Sequence, residues 1–401
     1  MSKVKVPFGT MSITDEAKAL VAQILDSGRV TSGKYVKELE QQFAELIGTK
    51  EAVALSSGTD ADVLALAVLY DYGAKRNDEI IVPALSFVAT GNAVLHAGFK
   101  PAFVDVKKET LNIDPGQIEA AITEKTRAIM PVHLMGKPAE MDPIMAIARK
   151  HRLFVIEDAA EAHGSVYKDQ NVGGIGDLAG FSLYAAHMIS SIEGGMVTTN
   201  NSDYAEILRS LRSHGRACNC KQCVMSTQDL KCEKRFKNGV DMRFVFERVG
   251  YSCKMNELEA AIGLGNMKSW PTYLAQRREN LLYLLDHFKK YAPDLVTFSE
   301  EEGEFIGPHA FPIILADEVK FTRDQFVNYL KQNGIDSRNM FWSMPTQCAG
   351  FEYLGYRLGQ FPNAEFIGQN GVHIGLHQEL NTKHMEYFLD VVERFLVEVN
   401  K

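Results

Sequence analysis

At 401 residues the chain is too long for one ordinary compact core, and its length favours two domains. Hydrophobic content of 46% and charged content of 23% sit near globular averages, which excludes a disordered or fibrous chain. The net charge of −8 carries no basic excess to hold a polyanion by counterion release, so general nucleic-acid binding is excluded while a small phosphorylated ligand stays open to local contacts.

The amino terminus, Met1 to Phe8, lacks the apolar stretch of a signal peptide, and no run approaches the roughly 18 apolar residues of a membrane span. The cytoplasm is the expected compartment, with no membrane partner. From Thr14 to about Gly48 the pattern is helical around a break at Ser27-Gly28-Arg29, with Val36, Leu39, Phe43 and Leu46 on one apolar face. Ala52-Val53-Ala54-Leu55 then runs into Ser56-Ser57-Gly58-Thr59-Asp60 and a helical stretch through Leu64, Ala67 and Tyr70, which predicts strand, small-residue turn, helix. Ile80 to Pro83, Pro101 to Asp105, Ala128 to Val132 and Leu153 to Asp158 are further short apolar runs separated by helix-like stretches. Such alternation predicts an α/β layer structure on a mainly parallel, buried sheet.

Asp105, His133 and Asp158 close three of these strands, the edge where open α/β sheets place ligand chemistry. From about Glu257 a long helical pattern leads into a basic helix around Arg277-Arg278. The later runs Ala310 to Leu315 and Gly371 to Gly375, mixed with helices, predict a smaller α+β domain. The expected division is a large domain over 1–255, with a cysteine-containing loop at 216–240, and a small one over 256–401.

Ser57-Gly58-Thr59 at a strand-to-helix turn suits a phosphate, because helix N-terminal amides and a hydroxyl face the anion while glycine admits close approach; it also fits an ordinary polar turn. Ser182 offers a second hydroxyl or is a satisfied strand serine. Asp158, after four apolar or buried-strand neighbours, needs a cationic or hydrogen-bonding partner such as a pyridinium nitrogen, or else caps a helix through Ala159-Ala160-Glu161. Phe87 could stack on a ring or lie in the core. Between Lys168 and Lys221 there is no lysine, and His187 stands in that gap, in Tyr184-Ala185-Ala186-His187-Met188. An imidazole moves protons but forms no stable Schiff base.

Taken in order, Ser57-Gly58-Thr59, Pro83-x-x-Ser86-Phe87-Val88-Ala89-Thr90, Pro131-Val132-His133-Leu134-Met135-Gly136, Glu157-Asp158-Ala159-Ala160-Glu161-Ala162-His163-Gly164, Glu193-Gly194-Gly195-Met196-Val197, Gly250-Tyr251 and Met255 to Leu264 resemble the DegT/DnrJ/EryC1/StrS family of pyridoxal-phosphate sugar enzymes over nearly the whole chain. The resemblance implies a fold-type I architecture, like that of aspartate aminotransferase, and a homodimer. It implies that Gly58, Thr59 and Ser182 hold the cofactor phosphate, Phe87 stacks on the ring, Asp158 pairs with the ring nitrogen and Glu161 meets the ring hydroxyl.

Counting back six from Glu193 puts His187 at the family's Schiff-base lysine, and Glu161 stands where aminotransferase members usually have Gln. Both departures resemble the 3-dehydratase subgroup, which acts on 4-keto-6-deoxy nucleotide sugars of deoxysugar and lipopolysaccharide O-antigen biosynthesis, and Gly375-Leu376-His377-Gln378 resembles a carboxy-terminal signature of that subgroup. The implied cofactor is pyridoxal or pyridoxamine 5′-phosphate held without a covalent bond, with His187 and Asp158 catalytic and glutamate a candidate amino donor. Ser252 replaces the family's usual Asn. Cys218, Cys220, Cys223 and Cys232 could bind zinc or a 2Fe–2S cluster, but the subgroup's upstream cluster cysteine falls at Ala160 and the Cys220 to Cys232 spacing is long, so reduced structural cysteines are expected. Two rival functions stay open: a nucleotide-sugar aminotransferase that has lost its lysine, and a non-catalytic sensor or scaffold that binds cofactor for stability.

Overall fold

The computed structural model describes residues 5–218, 220–221, 232 and 234–399. Seven strands form the central sheet: β1 (Glu51–Leu55), β2 (Glu79–Pro83), β3 (Lys100–Val104), β4 (Thr126–Ile129), β5 (Phe154–Asp158), β6 (Leu178–Ser182) and β7 (Gly195–Thr199), in the order β1-β7-β6-β5-β4-β2-β3. β2 to β6 run parallel to one another, while β7 is antiparallel to both β6 and β1. Mainly parallel pairing requires helices on both faces, and the apolar residues divide accordingly.

Val53, Leu55, Ile80, Val82, Ala128, Ile156 and Leu178 face α3 (Gly58–Ala67), α4 (Val88–His96) and α6 (Ser202–Leu211) in one core. The alternate residues face the other way. Ala52, Ala54, Ala179 and Phe181 pack on α2 (Lys34–Ile47) and the start of a long helix, and Ile81, Ile129 and Val155 pack on α5 (Met141–His151). α1 (Asp15–Ser27) lies against that same long helix, α7 (Glu257–Phe288). The sequence pattern around Leu258 and the basic stretch at Arg277 form one 32-residue helix that continues through Pro271. At 1.5 Å per residue it spans about 48 Å. Its first turns meet α1 and α2, and Leu281, Leu284 and Phe288 join the core of the carboxy-terminal half.

That half carries an antiparallel sheet of β8 (Leu295–Val296), β9 (Ala310–Leu315), β10 (Ser337–Asn339) and β11 (Gly371–Gly375) in the order β8-β9-β11-β10, against α8 (Arg323–Gln332) and α9 (Thr382–Val399). The amino-terminal segment joins it, with Val6 bridged to Ile335.

A buried carboxylate holds the end of β5 in place. Glu157 is fully buried, and its Oε1 accepts from the amides of Ile175 (2.9 Å) and Gly176 (2.7 Å) while its Oε2 accepts from the amide of Gly173 (2.9 Å) and faces His133 Nε2 (3.1 Å). His133 Nδ1 accepts from the Ala139 amide at 3.0 Å, which leaves Nε2 as the protonated donor to Glu157. One side chain thus ties β5, the turn before β6 and the loop after β4. Glu157→Gln turns an NH₂ group toward amide donors and is expected to cost about 3 to 5 kcal/mol. Urea unfolding followed by circular dichroism checks this, and an unchanged midpoint would contradict it.

Candidate active site

Along β5 the side chains alternate, so Glu157 faces the α5 side and Asp158 faces α3 and α4. Asp158 Oδ2 accepts from Thr90 Oγ1 on α4 (2.7 Å), which shares a hydrogen bond with Ser86 Oγ (2.8 Å), and Oδ1 accepts from the Ala160 amide (3.2 Å). No helix follows, so the helix-capping alternative for Asp158 does not hold. Burial raises the Asp158 carboxyl above its ordinary value, and the Thr90 hydrogen bond opposes the rise.

A cavity of about 620 Å³ opens on this carboxyl, and Gly58, Thr59, Phe87, Asp158, Glu161, Ser182 and His187 all line it. Ser57 caps α3, its Oγ accepting from the Asp60 amide at 3.0 Å. The next residue is packed against β6: a Cβ on Gly58 would fall 2.5 Å from Ser182 Cβ. Glycine at this point brings the first amides of α3 beside the Ser182 hydroxyl. Ser182 Oγ accepts from the Tyr184 amide (3.3 Å), so its own proton remains available to an acceptor in the cavity. Phe87 is 55% exposed and presents a ring to that space rather than to the core.

His187 lies in the turn after β6, its amide donating to Tyr184 O at 2.9 Å. Its Nδ1 is buried without a hydrogen-bond partner among the described residues. The rings of His309 and His163 stand 5.1 and 5.9 Å away. Burial holds the His187 imidazole well below its ordinary value, and the neighbouring His309 and Arg277 push it the same way. These surroundings favour the uncharged imidazole, the form with a lone pair open to a proton. Glu161 Oε2 accepts from the Met135 amide (2.7 Å), Oε1 lies 3.7 Å from His309 Nε2, and burial pushes its carboxyl up to about 7.

Sequence reasoning missed three groups here. Asp62 on α3 has a buried Oδ1 without a hydrogen-bond partner among the described residues, packed so closely on β6 that a Cβ on Gly180 would fall 2.1 Å from it. Burial, and then Asp158, raise its carboxyl well above the usual range. A carboxyl amid Ala61, Val63, Leu64 and Ala65 was the available signal. His309 and the buried Arg277 come from the carboxy-terminal half. Arg277 Nε donates to Gln378 Oε1 (3.2 Å) and Nη1 to Pro308 O (3.4 Å), with no carboxylate among these partners. The sequence marks Arg277 only as part of a basic helix, and no local pattern marks His309.

Two strand-ending residues prove structural. Asp105 holds the start of a later helix, accepting from the amides of Asn363 (3.0 Å) and Ala364 (2.9 Å), and His133 serves Glu157. The ligand edge is as expected, but of the three only Asp158 lines the cavity. Cys223 lies outside the described residues. Among the described residues, no group of three or more His, Cys, Asp or Glu is placed to hold a metal ion. None of the described helices is long and apolar enough to cross a membrane.

The family model of the DegT/DnrJ/EryC1/StrS aminotransferases matches residues 11–393. The chain is 33% identical over 405 residues to the dTDP-4-dehydro-2,6-dideoxy-D-glucose 3-dehydratase of Saccharopolyspora spinosa, covering 97% of this chain and 86% of the relative. It is also 33% identical over 381 residues to the GDP-perosamine synthase of Caulobacter vibrioides, covering 94% of each. Among solved structures, the E. coli GDP-4-keto-6-deoxy-D-mannose 3-dehydratase with bound hydrated pyridoxal phosphate superposes with a TM-score of 0.84 at 30% identity, over 97% of this chain and 99% of that one.

The raised Glu161 carboxyl has a consequence for stability. The folded state binds a proton here more tightly than the unfolded chain, so the contribution is complete below the unfolded value near 4.5 and is lost as pH rises through about 7. Glu161→Gln removes this loss. The melting temperature of the variant relative to the parent, both cofactor-free, is expected to climb between pH 5 and pH 8; a constant difference would contradict it.

Proposed function

The chain belongs to the DegT/DnrJ/EryC1/StrS aminotransferase family, and we propose that within it the protein is a 3-dehydratase of a 4-keto-6-deoxy nucleotide sugar, working with pyridoxamine phosphate held without a covalent bond. One observation carries the reading: among the described residues, those lining the cavity include no lysine, and the imidazole of His187 stands where the family's amine falls. Identity alone does not separate a dehydratase from an aminotransferase, since a relative of each kind matches equally well.

The residues fit such a cofactor. Gly58, Thr59 and Ser182 form a cradle that a Cβ at Gly58 would fill, which suits a phosphate. Asp158 is a buried carboxyl raised by its surroundings, and a protonated ring nitrogen is the cationic partner that would restore its charge. The exposed ring of Phe87 suits stacking, and the Glu161 carboxyl, near neutrality, can share a proton with a ring hydroxyl. Bound there, pyridoxamine phosphate supplies an amine for the 4-keto carbon and a ring that takes up electrons.

The protein's part is proton handling. Asp158 keeps the ring nitrogen protonated, and Thr90 fixes the carboxylate that does so. The His187 imidazole accepts a proton from carbon and returns one to the C3 oxygen of the sugar, which leaves as water. Burial and the neighbouring Asp158 disfavour a second negative charge on Asp62. Glutamate is the proposed amino donor and a homodimer the proposed assembly. Phe236, Val240, Phe244, Phe246 and Val249 are each exposed within one short stretch of chain, which supports the assembly.

Replacement of His187 tests the reading. His187→Asn is expected to lower C3 deoxygenation by about 10²- to 10⁴-fold, the usual worth of general acid–base catalysis, while cofactor affinity by equilibrium dialysis stays near the parent's. Borohydride should fix no cofactor to the parent chain but should fix it at position 187 in H187K, whose residual activity should shift toward amino-sugar formation. Deoxygenation by H187N at the parent rate, or a reduced cofactor adduct on a lysine of the parent, would overturn the proposal.

A further inference from the structure

Among the described residues, Arg338 is the only lysine or arginine lining the cavity, whereas Asp62, Asp158, Glu161 and Glu193 bring carboxyl groups to it. A dianionic substrate entering such a space needs a cation, and the geometry points to where it meets one. Arg338 lies in β10 opposite His373 of β11. From Phe87 a line of rings crosses the cavity wall, with centroid separations of 5.5 Å to Phe341, 5.9 Å from there to His373 and 5.3 Å on to Phe8. The guanidinium of Arg338 sits 4.8 Å from the Phe8 ring centroid.

The Arg338 side chain is 54% exposed, and Nη1 makes both of its hydrogen bonds, to Asp336 Oδ1 (2.6 Å) and Ser337 O (3.1 Å). Among the described residues this leaves the edge formed by Nε and Nη2 without a protein acceptor. Two parallel N–H groups on one edge match two oxygens of a phosphate. Asp336 and Phe8 hold the fork in place without occupying that edge.

We propose that Arg338 binds the diphosphate of the nucleotide sugar and sets how far the sugar reaches toward His187. This rests on the nucleotide-sugar reading above. In a hexose the phosphate-bearing C1 lies across the ring from C4, so a sugar whose C4 is at the catalytic end must extend its diphosphate away from it. The wall that begins at Phe87, the residue proposed to stack on the cofactor ring, ends at Arg338. Gly58, Thr59 and Ser182 are assigned to the cofactor's own phosphate, which leaves Arg338 as the cation for the substrate's.

The test uses the full-length, cofactor-loaded protein and GDP and dTDP as probes, with binding measured by isothermal titration calorimetry. Whichever nucleoside diphosphate the parent binds, Arg338→Gln is expected to weaken it about 10- to 100-fold, the worth of charge-assisted hydrogen bonds. Arg338→Lys, which keeps the charge and loses the fork, should fall between. With the nucleotide sugar, R338Q should raise KM far more than it lowers kcat. Circular dichroism melting of each variant separates lost binding from lost folding, and R338K supplies the answer if R338Q does not fold. Equal binding by parent and folded variants overturns the role of Arg338 and leaves the nucleotide-sugar reading standing. Absence of binding of either diphosphate to the parent overturns both.

Discussion

Every functional feature of this protein hangs on the last two residues of β5, which carry adjacent carboxyl groups to opposite faces of one sheet. Glu157 is saturated with three amides from the turn before β6 and an imidazole from the loop after β4. Its neighbour Asp158 has two donors and an open cavity. The period of two along a strand makes these roles exclusive: one carboxylate organises the loops, the other is left for chemistry. A shift of one residue in β5 would exchange them.

The cavity is built from groups held away from their ordinary charge. Burial raises Asp62, Asp158 and Glu161 toward their neutral acids. The same desolvation keeps His163, His187 and His309 as neutral imidazoles, with Arg277 adding to the effect on each. Groups whose charged forms are disfavoured by burial are thereby gathered at one cavity, a clustering of perturbed titrations that marks a functional site. An amine at position 187 would add nucleophilic chemistry; the imidazole leaves only proton transfer.

The strand-turn-helix unit at Ser57 to Thr59, the carboxyl at Asp158 and the histidine in the lysine's place were legible because each depends on a few consecutive residues. The cavity brings all seven expected site residues to its walls. Asp105 and His133 show the limit of that reasoning. A polar residue at a strand end marks the ligand edge, but whether its lone pairs are free depends on partners such as Asn363 and Glu157 that no local pattern reveals. Arg277, His309 and Arg338 were illegible for a related reason. His309 and Arg338 reach the cavity only because the antiparallel sheet folds back beside Phe87, and Arg277, carried there by α7, acts on its imidazoles without lining it. Asp62 alone had a local signal, an acid among apolar helix neighbours.

Product identity tests the central claim most directly. The unmodified protein, loaded with pyridoxamine phosphate and supplied with glutamate, can be incubated with GDP- and dTDP-linked 4-keto-6-deoxy hexoses, and the sugar followed by proton NMR. The account predicts a 3-deoxy-4-keto nucleotide sugar, with a methylene replacing the hydroxyl-bearing C3 and no nitrogen retained. A 4-amino sugar with its C3 hydroxyl intact would contradict it.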